Sequence, residues 1–222
     1  MKVLPIKPNE AEPWLLKKHY AKRIPPISYA FGIYKGSQLV GVVTYGTPVS
    51  SALRVGVCGE KWIDNVIELN RLCCNNEKNV ASTLVGRSLQ MLPKPLVVVS
   101  YADTEQGHVG YVYQATNFVY TGLSAKRTDW KLKGMEHLHG ATVADMSRGQ
   151  ENRAQWMRDK FGDNFYLQDR SRKHRYVYFV GSKGQKKLMQ SALMYAVEPY
   201  PKGDSKRYDA GGVVATQELL FV

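Results

Sequence analysis

Residues 96–118 read LVVVSYADTEQGHVGYVYQATNF. The segment opens on Leu96 to Val99, a run with the length and β-branched content of a strand buried on both faces. Polar groups appear abruptly at Ser100, Tyr101 and Asp103, and Gly107 and Gly110 punctuate a turn. Val109, Val112 and Tyr113 then fall at helical spacing, and Phe118 to Tyr120 opens another strand. A strand that carries a carboxylate to its C-terminal end, followed by a helix bearing a tyrosine, is a plausible site geometry. In α/β sheets, ligands bind outside the carboxyl ends of the strands.

Upstream, Tyr29 to Tyr34 and Gln38 to Tyr45 alternate on either side of a Lys35-Gly36-Ser37 turn, which predicts a β-hairpin. Val66 to Cys74 predicts a strand. Val80 to Leu92 predicts a helix capped by Asn79, with Leu84, Ser88 and Leu92 on one face and Pro93 ending it. Residues 49–60 are expected as loop, residues 1–13 as an extended lead-in, and Trp14 to Tyr20 as a short helix stopped by Pro25-Pro26. Downstream, residues 134–150 look loop-like and Glu151 to Phe161 helical. Tyr176 to Val180 predicts a strand and Lys186 to Tyr195 a helix. The expected organisation is one domain over 14–200 with a basic C-terminal half, followed by a tail over 201–222.

The chain carries a formal charge of +12 with 44% hydrophobic residues, enough for a core and suited to a polyanionic partner. No apolar run approaches the length of a bilayer crossing and no signal-peptide core opens the chain, so a soluble, cytoplasmic protein with no membrane partner is expected. Three cysteines, two of them adjacent at Cys73 and Cys74, make neither a disulfide framework nor a zinc pattern and are expected to be buried thiols. No nucleophile elbow, dinucleotide loop or methyltransferase box is present.

Several residue types carry chemistry. Asp103, just past an apolar strand, is expected to be partly desolvated with a raised pKa, fit to accept a proton from an attacking amine or to orient it; a turn-capping Asp is the alternative. Tyr20, Tyr101 and Tyr111 are candidates to stack on an extruded base. Arg170, Arg172, Lys173 and Arg175 form a dense cluster. With Lys126, Arg127, Lys183, Lys186 and Lys187 they make a candidate phosphate-contacting surface for double-stranded DNA. His19 is a candidate ligand for a transition metal such as iron, although no metal-binding spacing supports it.

The Tyr113-Gln-Ala-Thr-Asn-Phe118 stretch resembles the tyrosine box that closes the GNAT acyltransferase core, with Asn117 where that family usually has glycine. Asn tolerates the left-handed backbone needed there. The His19-Tyr20-Ala-Lys-Arg-Ile-Pro25 and Tyr101-Ala-Asp103 segments more closely resemble the Mom proteins of Mu-like phages, an outlying branch of that fold. The resemblance covers about residues 14–200. It implies an α+β, three-layer GNAT-like fold with a mixed, mostly antiparallel central sheet flanked by helices. It also implies conversion of adenine in DNA to N6-carbamoylmethyladenine, protecting phage DNA from restriction. Tyr113 would then assist a leaving group, Asp103 would act as base or orienter, and His19 and Tyr20 would border the pocket. The acyltransferase phosphate turn maps onto Asn76, Asn79 and Ala81, but its glycines and arginine are missing. An acyl-coenzyme A donor is thus in question and the donor is open, as is a homodimer. Two rival readings remain: an ordinary N-acyltransferase on a small amine or protein, and a non-catalytic nucleic-acid-binding protein.

Overall fold

The computed structural model describes residues 1–138 and 140–203. The tail expected at 201–222 therefore lies, from residue 204 on, outside the described residues. In chain order the elements are β1 (Lys2–Pro5), α1 (Pro8–Lys17), β2 (Tyr29–Lys35), β3 (Gln38–Gly46), α2 (Ser51–Cys58), β4 (Val66–Cys74), α3 (Val80–Met91) and β5 (Leu96–Asp103). There follow α4 (Tyr111–Ala115), β6 (Val119–Leu123), β7 (Arg127–Leu132), α5 (Gly140–Asp145), α6 (Arg153–Phe161), β8 (Phe165–Arg170), β9 (Lys173–Val180) and α7 (Lys183–Ser191).

The chain divides into two compact units. Among the described residues, one comprises 1–102, 108–122 and 174–203; the other comprises 103–107 with 123–173. The first is built on a seven-stranded sheet of order β1-β2-β3-β4-β5-β9-β6. β1 to β4 pair antiparallel, and β4 pairs β5 in parallel.

β5 explains the layering. Its side chains alternate between the sheet faces. Leu96, Val98 and Ala102 join Leu84, Val85, Leu89 and Tyr113 in one core; Val97 and Val99 join Val57, Cys58, Val177, Phe179 and Met189 in another. Helices thus cover both faces, α3 and α4 on one and α2 and α7 on the other, giving the expected three-layer α+β arrangement. A strand buried on both sides must be apolar throughout, and each fully buried valine stabilises the fold by about 1.5–3 kcal/mol.

The parallel register runs from Val66 opposite Val97 to Leu69 opposite Ser100 and ends there. β4 continues beside β3 to Cys74, and β5 continues to Asp103. Polar side chains replace valines where the two strands part: Asn70 and Arg71 on β4, Ser100 and Tyr101 on β5.

Three segments differ from the sequence expectation. The lead-in at 1–13 contains β1, whose Val3 is buried opposite Ile33, and α1, which starts at Pro8 rather than Trp14. Proline suits a first helical turn because it lacks only an N–H that would go unpaired there, and Ala11 and Leu15 bury one stripe of the helix. Residues 51–58, expected as loop, form α2, where the Ser50 side chain accepts from Leu53 N–H at 3.3 Å and Val57 and Cys58 are buried. Residues 140–145, also expected as loop, form α5.

The second unit is organised by β7 and β8, an antiparallel ribbon pairing Arg127 with Arg170 and Leu132 with Phe165. Leu132, Val143 and Met157 form its core, flanked by Trp130, Trp156, Phe161 and Phe165.

Candidate active site

Ser100 stands where β4 and β5 part. Its side chain is fully buried, and its hydroxyl donates to Leu69 O at 2.9 Å, the last β4 residue in the parallel register. The same side chain acts on the Tyr113 hydroxyl, favouring its ionised form. Tyr113 sits on the single-turn helix α4, which begins at Gly110 with φ of 82°. A side chain at Gly110 would meet the Tyr176 ring at 2.4 Å. The turn closes through Phe118 N–H on Tyr113 O at 3.0 Å, with Asn117 at the left-handed φ of 61° expected for it. The Tyr113 ring lies 5.3 Å from Phe118 and 5.2 Å from Tyr176 between ring centroids. Burial pushes the phenol up to about 12. Ser100 opposes the shift, and the nearby Tyr20, Glu68 and Tyr176 add to it. At neutral pH the group is a protonated phenol, able to donate a proton or a hydrogen bond.

His19 and Tyr20 follow α1. His19 is buried, and its Nδ1 accepts from Ala21 N–H at 3.1 Å, which leaves the proton of the neutral ring on Nε2. Tyr20 stacks on His19 with centroids 4.4 Å apart and meets His108 edge-on at 6.3 Å. Lys22 then adopts a left-handed φ of 42°, uncommon for a residue with a side chain, and turns the chain into Arg23-Ile24-Pro25-Pro26. This segment and β4 line a cleft of about 200 Å³ that includes Arg23, Pro26, Glu68, Asn70 and Arg71. Glu68 acts electrostatically on both Tyr113 and Arg71, and so does Tyr20. The fold therefore gathers Tyr113, Tyr20, His19, Glu68 and Arg71 around the parting of β4 and β5.

Asp103 lies in the second unit, and its expected raised pKa is overturned. Burial does push its carboxyl up. That push is outweighed by Lys173 Nζ donating at 2.9 Å, Ser171 Oγ at 2.8 Å and Glu105 N–H at 3.1 Å, so the carboxyl is held below its ordinary value. Thr104 Oγ1 adds a bond to Arg172 O at 2.7 Å. The group is an ionised acceptor held by a lysine and caps the turn at Glu105, without the raised pKa expected of it.

The remaining expected residues are scattered. Tyr101 packs with Val97 and Val99, on the opposite sheet face from Ser100 and Tyr113, because strand neighbours alternate. Tyr111 is half exposed at the start of α4. Asn76 and Asn79 are exposed and Ala81 half-buried at the start of α3. Asn79 has a left-handed φ of 64° and its side chain makes no capping bond, contrary to the expected cap.

The basic cluster splits. Arg172 donates to Ser124 O at 2.6 Å and Leu123 O at 3.3 Å, and Lys173 holds Asp103. Arg175 donates to Thr121 O at 2.8 Å and covers the Tyr195 ring at 3.3 Å. Lys126, Arg127, Arg170, Lys183 and Lys187 are exposed, and Lys186 lies over Tyr178. The positive surplus is spread along the chain: residues 1–102 hold thirteen Lys and Arg against six Asp and Glu, 103–173 eleven against nine and 174–222 seven against four. For the metal expected at His19, no group of three or more His, Cys, Asp or Glu able to hold an ion occurs among the described residues. No helix among them is long and apolar enough to cross a membrane. Burial pushes the Cys73 and Cys74 thiols up, to about 11 and about 12, as expected of inert thiols.

Sequence reading passed over Ser100, Glu68, Arg71 and His108. Ser100 carried a signal, the first polar residue after an apolar run. Glu68 and Arg71 lie in a stretch that resembles the central acyltransferase strand, whose end opens the cofactor cleft, but alternating polar residues in a strand usually face solvent and neither is expected to have a role of its own.

The Mom protein family model matches residues 1–202. The chain belongs to the Mom protein family. A relative, the methylcarbamoylase mom of Escherichia phage Mu, is 29% identical over 192 residues, covering 83% of this chain and 77% of the relative. Among solved structures, an N-acetyltransferase from Staphylococcus aureus is similar with a TM-score of 0.43 and 12% identity, covering 81% of this chain and 98% of that one. Spermidine N-acetyltransferase from Vibrio cholerae is similar with a TM-score of 0.42 and 10% identity, covering 86% and 99%. The Mom match spans both compact units, so the sheet with Tyr113 and the inserted ribbon with Asp103 belong to one family architecture.

Proposed function

We propose that this chain is an enzyme that modifies adenine in DNA, placing a carbamoylmethyl group on N6. The observation that carries the reading is the Mom family match over residues 1–202, with a methylcarbamoylase among the relatives. The site chemistry agrees with it. Adenine N6 is a weak, conjugated nucleophile that stacking shields in the duplex, so the base must be extruded. The partly exposed ring of Tyr20, backed by His19, offers a stacking face worth about 1–3 kcal/mol.

N6 then attacks the methylene carbon of an activated donor. The new N–C bond forms as the leaving group departs with its electron pair, and N6 loses its proton to solvent water. Tyr113, neutral because its pKa is near 12, supplies a proton or hydrogen bond to the departing group. Asp103 contributes as an ionised acceptor that keeps Lys173 and the 103–105 backbone in place. The surplus of +12 suits a polyanionic substrate.

Expression in bacteria followed by digestion of genomic DNA and mass spectrometry of the nucleosides tests the reading. A modified deoxyadenosine heavier by one carbamoylmethyl group is expected. Unmodified deoxyadenosine from cells that contain the folded protein would refute it.

A further inference from the structure

The cleft beside Tyr20 has a feature that the reading above does not use. Arg71 Nε is buried and has no hydrogen-bond partner among the described residues. A buried guanidinium N–H left unpaired is costly, and such groups in native folds usually await an ion, a water or a ligand. The Arg71 plane is set: its Nη1 donates to Asn70 O at 2.6 Å. The wall facing it is also fixed. Asn70 donates to Pro26 O at 2.8 Å and accepts from Thr44 Oγ1 at 2.6 Å, and a side chain at Gly46 would meet Pro26 O at 1.9 Å. The cleft is thus preformed rather than a gap between loose loops.

Its charge is unbalanced. Arg23, which is exposed, and Arg71 both line it, with Glu68 as the carboxylate. Burial disfavours the Arg71 charge most, Tyr20 and Glu68 partly offset that, and Arg23 adds to the burial effect. An oxyanion between the two guanidiniums would relieve both effects and supply the missing acceptor. Arginine suits this role because its planar fork matches phosphoryl oxygens.

We propose that Arg23 and Arg71 form an oxyanion subsite that takes a phosphoryl group during the reaction, next to the Tyr20 and Tyr113 side chains. The proposal rests on the adenine-modifying reading for its setting. Under that reading the phosphodiester chain beside the extruded adenine is the expected source, and a phosphate of the donor is the other. A cleft of about 200 Å³ accommodates a phosphoryl group with part of its sugar. Holding a phosphate there would orient the flipped nucleotide without reading its base, because backbone contacts position while base contacts specify.

Arg23→Met tests this, since Arg23 is exposed and its loss should leave the melting temperature unchanged. Binding of an adenine-containing duplex is measured across a salt series, for the parent and the variant. A parallel duplex carries methylphosphonates in place of the phosphates flanking the target adenine. Pyrophosphate alone is titrated by calorimetry as a probe of the donor arm. The expected result is a slope of log K against log salt shallower by about one in Arg23→Met, and no further change when variant and methylphosphonate are combined. An unchanged DNA slope with lost pyrophosphate affinity supports the subsite and assigns its occupant to the donor. If neither measurement changes, the subsite is wrong. Nucleoside analysis of the parent reports separately on the adenine reading, and the pyrophosphate arm still tests the subsite should that reading fail.

Discussion

Replacing Asp103 separates a latch from a catalytic base. Its carboxylate is nearly buried and accepts from Lys173, Ser171 and the Glu105 backbone, while the Lys173 side chain keeps 31% of its exposure. Asp103→Asn retains an oxygen for Ser171 and Glu105 and loses only the charge. Lys173 can then turn to water, so the cost should be about 1–2 kcal/mol. Asp103→Ala also removes the acceptor of Ser171 and of the Glu105 N–H and should cost more, about 2–3 kcal/mol.

The pH dependence has a definite sign. The folded-state pKa lies below the ordinary value, so the stabilisation is fully present above the unfolded carboxylate pKa of about 3.9 and fades as pH falls through the folded value. The parent and Asp103→Asn should differ in urea midpoint at pH 7 and converge in acid. Urea unfolding at a series of pH values, alongside modification assays on the folded variants, reads both effects. A catalytic base would give the opposite result: parental stability at every pH with modification abolished. That outcome would remove the latch.

Other predictions address different parts of the molecule. Tyr113→Phe keeps the packing against Phe118 and Tyr176 and removes only the hydroxyl. It should lower the modification rate about 10²–10⁴-fold while leaving stability within about 1 kcal/mol of the parent, measured by nucleoside analysis and thermal melting. Because that phenol titrates near 12, the pH–rate profile should show no limb from Tyr113 below pH 10; a tyrosine-dependent loss at pH 8 to 9 would contradict its placement. Exposed and engaged cations should behave oppositely. Lys183→Gln with Lys187→Gln should flatten the salt dependence of DNA binding by about two at constant melting temperature, whereas Arg172→Met should cost about 1–3 kcal/mol of stability through its bonds to Ser124 and Leu123. Gly110→Ala should destabilise by about 2–4 kcal/mol, because the residue is left-handed and its new methyl would strike the Tyr176 ring; a melting temperature within a degree of the parent would refute that contact.

What the sequence determined by itself was the local grammar. The valine run of β5, the alternation of the hairpin and the buried face of α3 follow from periods and backbone preferences that act within a few residues, and the left-handed turn at Asn117 from the box that resembles the acyltransferase one. Tyr113 was legible for the same reason, as part of a contiguous box that resembles a known family.

Composition hid α1 and α2, since proline, serine and glycine are turn formers whose helical use depends on a stripe of buried residues finding a sheet. Tertiary structure alone decided which polar residues meet. Tyr101 and Ser100 are neighbours in sequence, yet strand alternation sends them to opposite sheet faces. Asp103 reads as an acid at the end of an apolar strand, and only the return of the chain sixty-eight residues later brings Ser171 to its carboxylate, followed by Lys173, and reverses its pKa. Arg71 looks like an ordinary polar position until the parting of β4 from β5 leaves it lining a cleft with Arg23. These assignments depend on contacts between distant parts of the chain, and charge and burial are properties of such contacts, not of residue type.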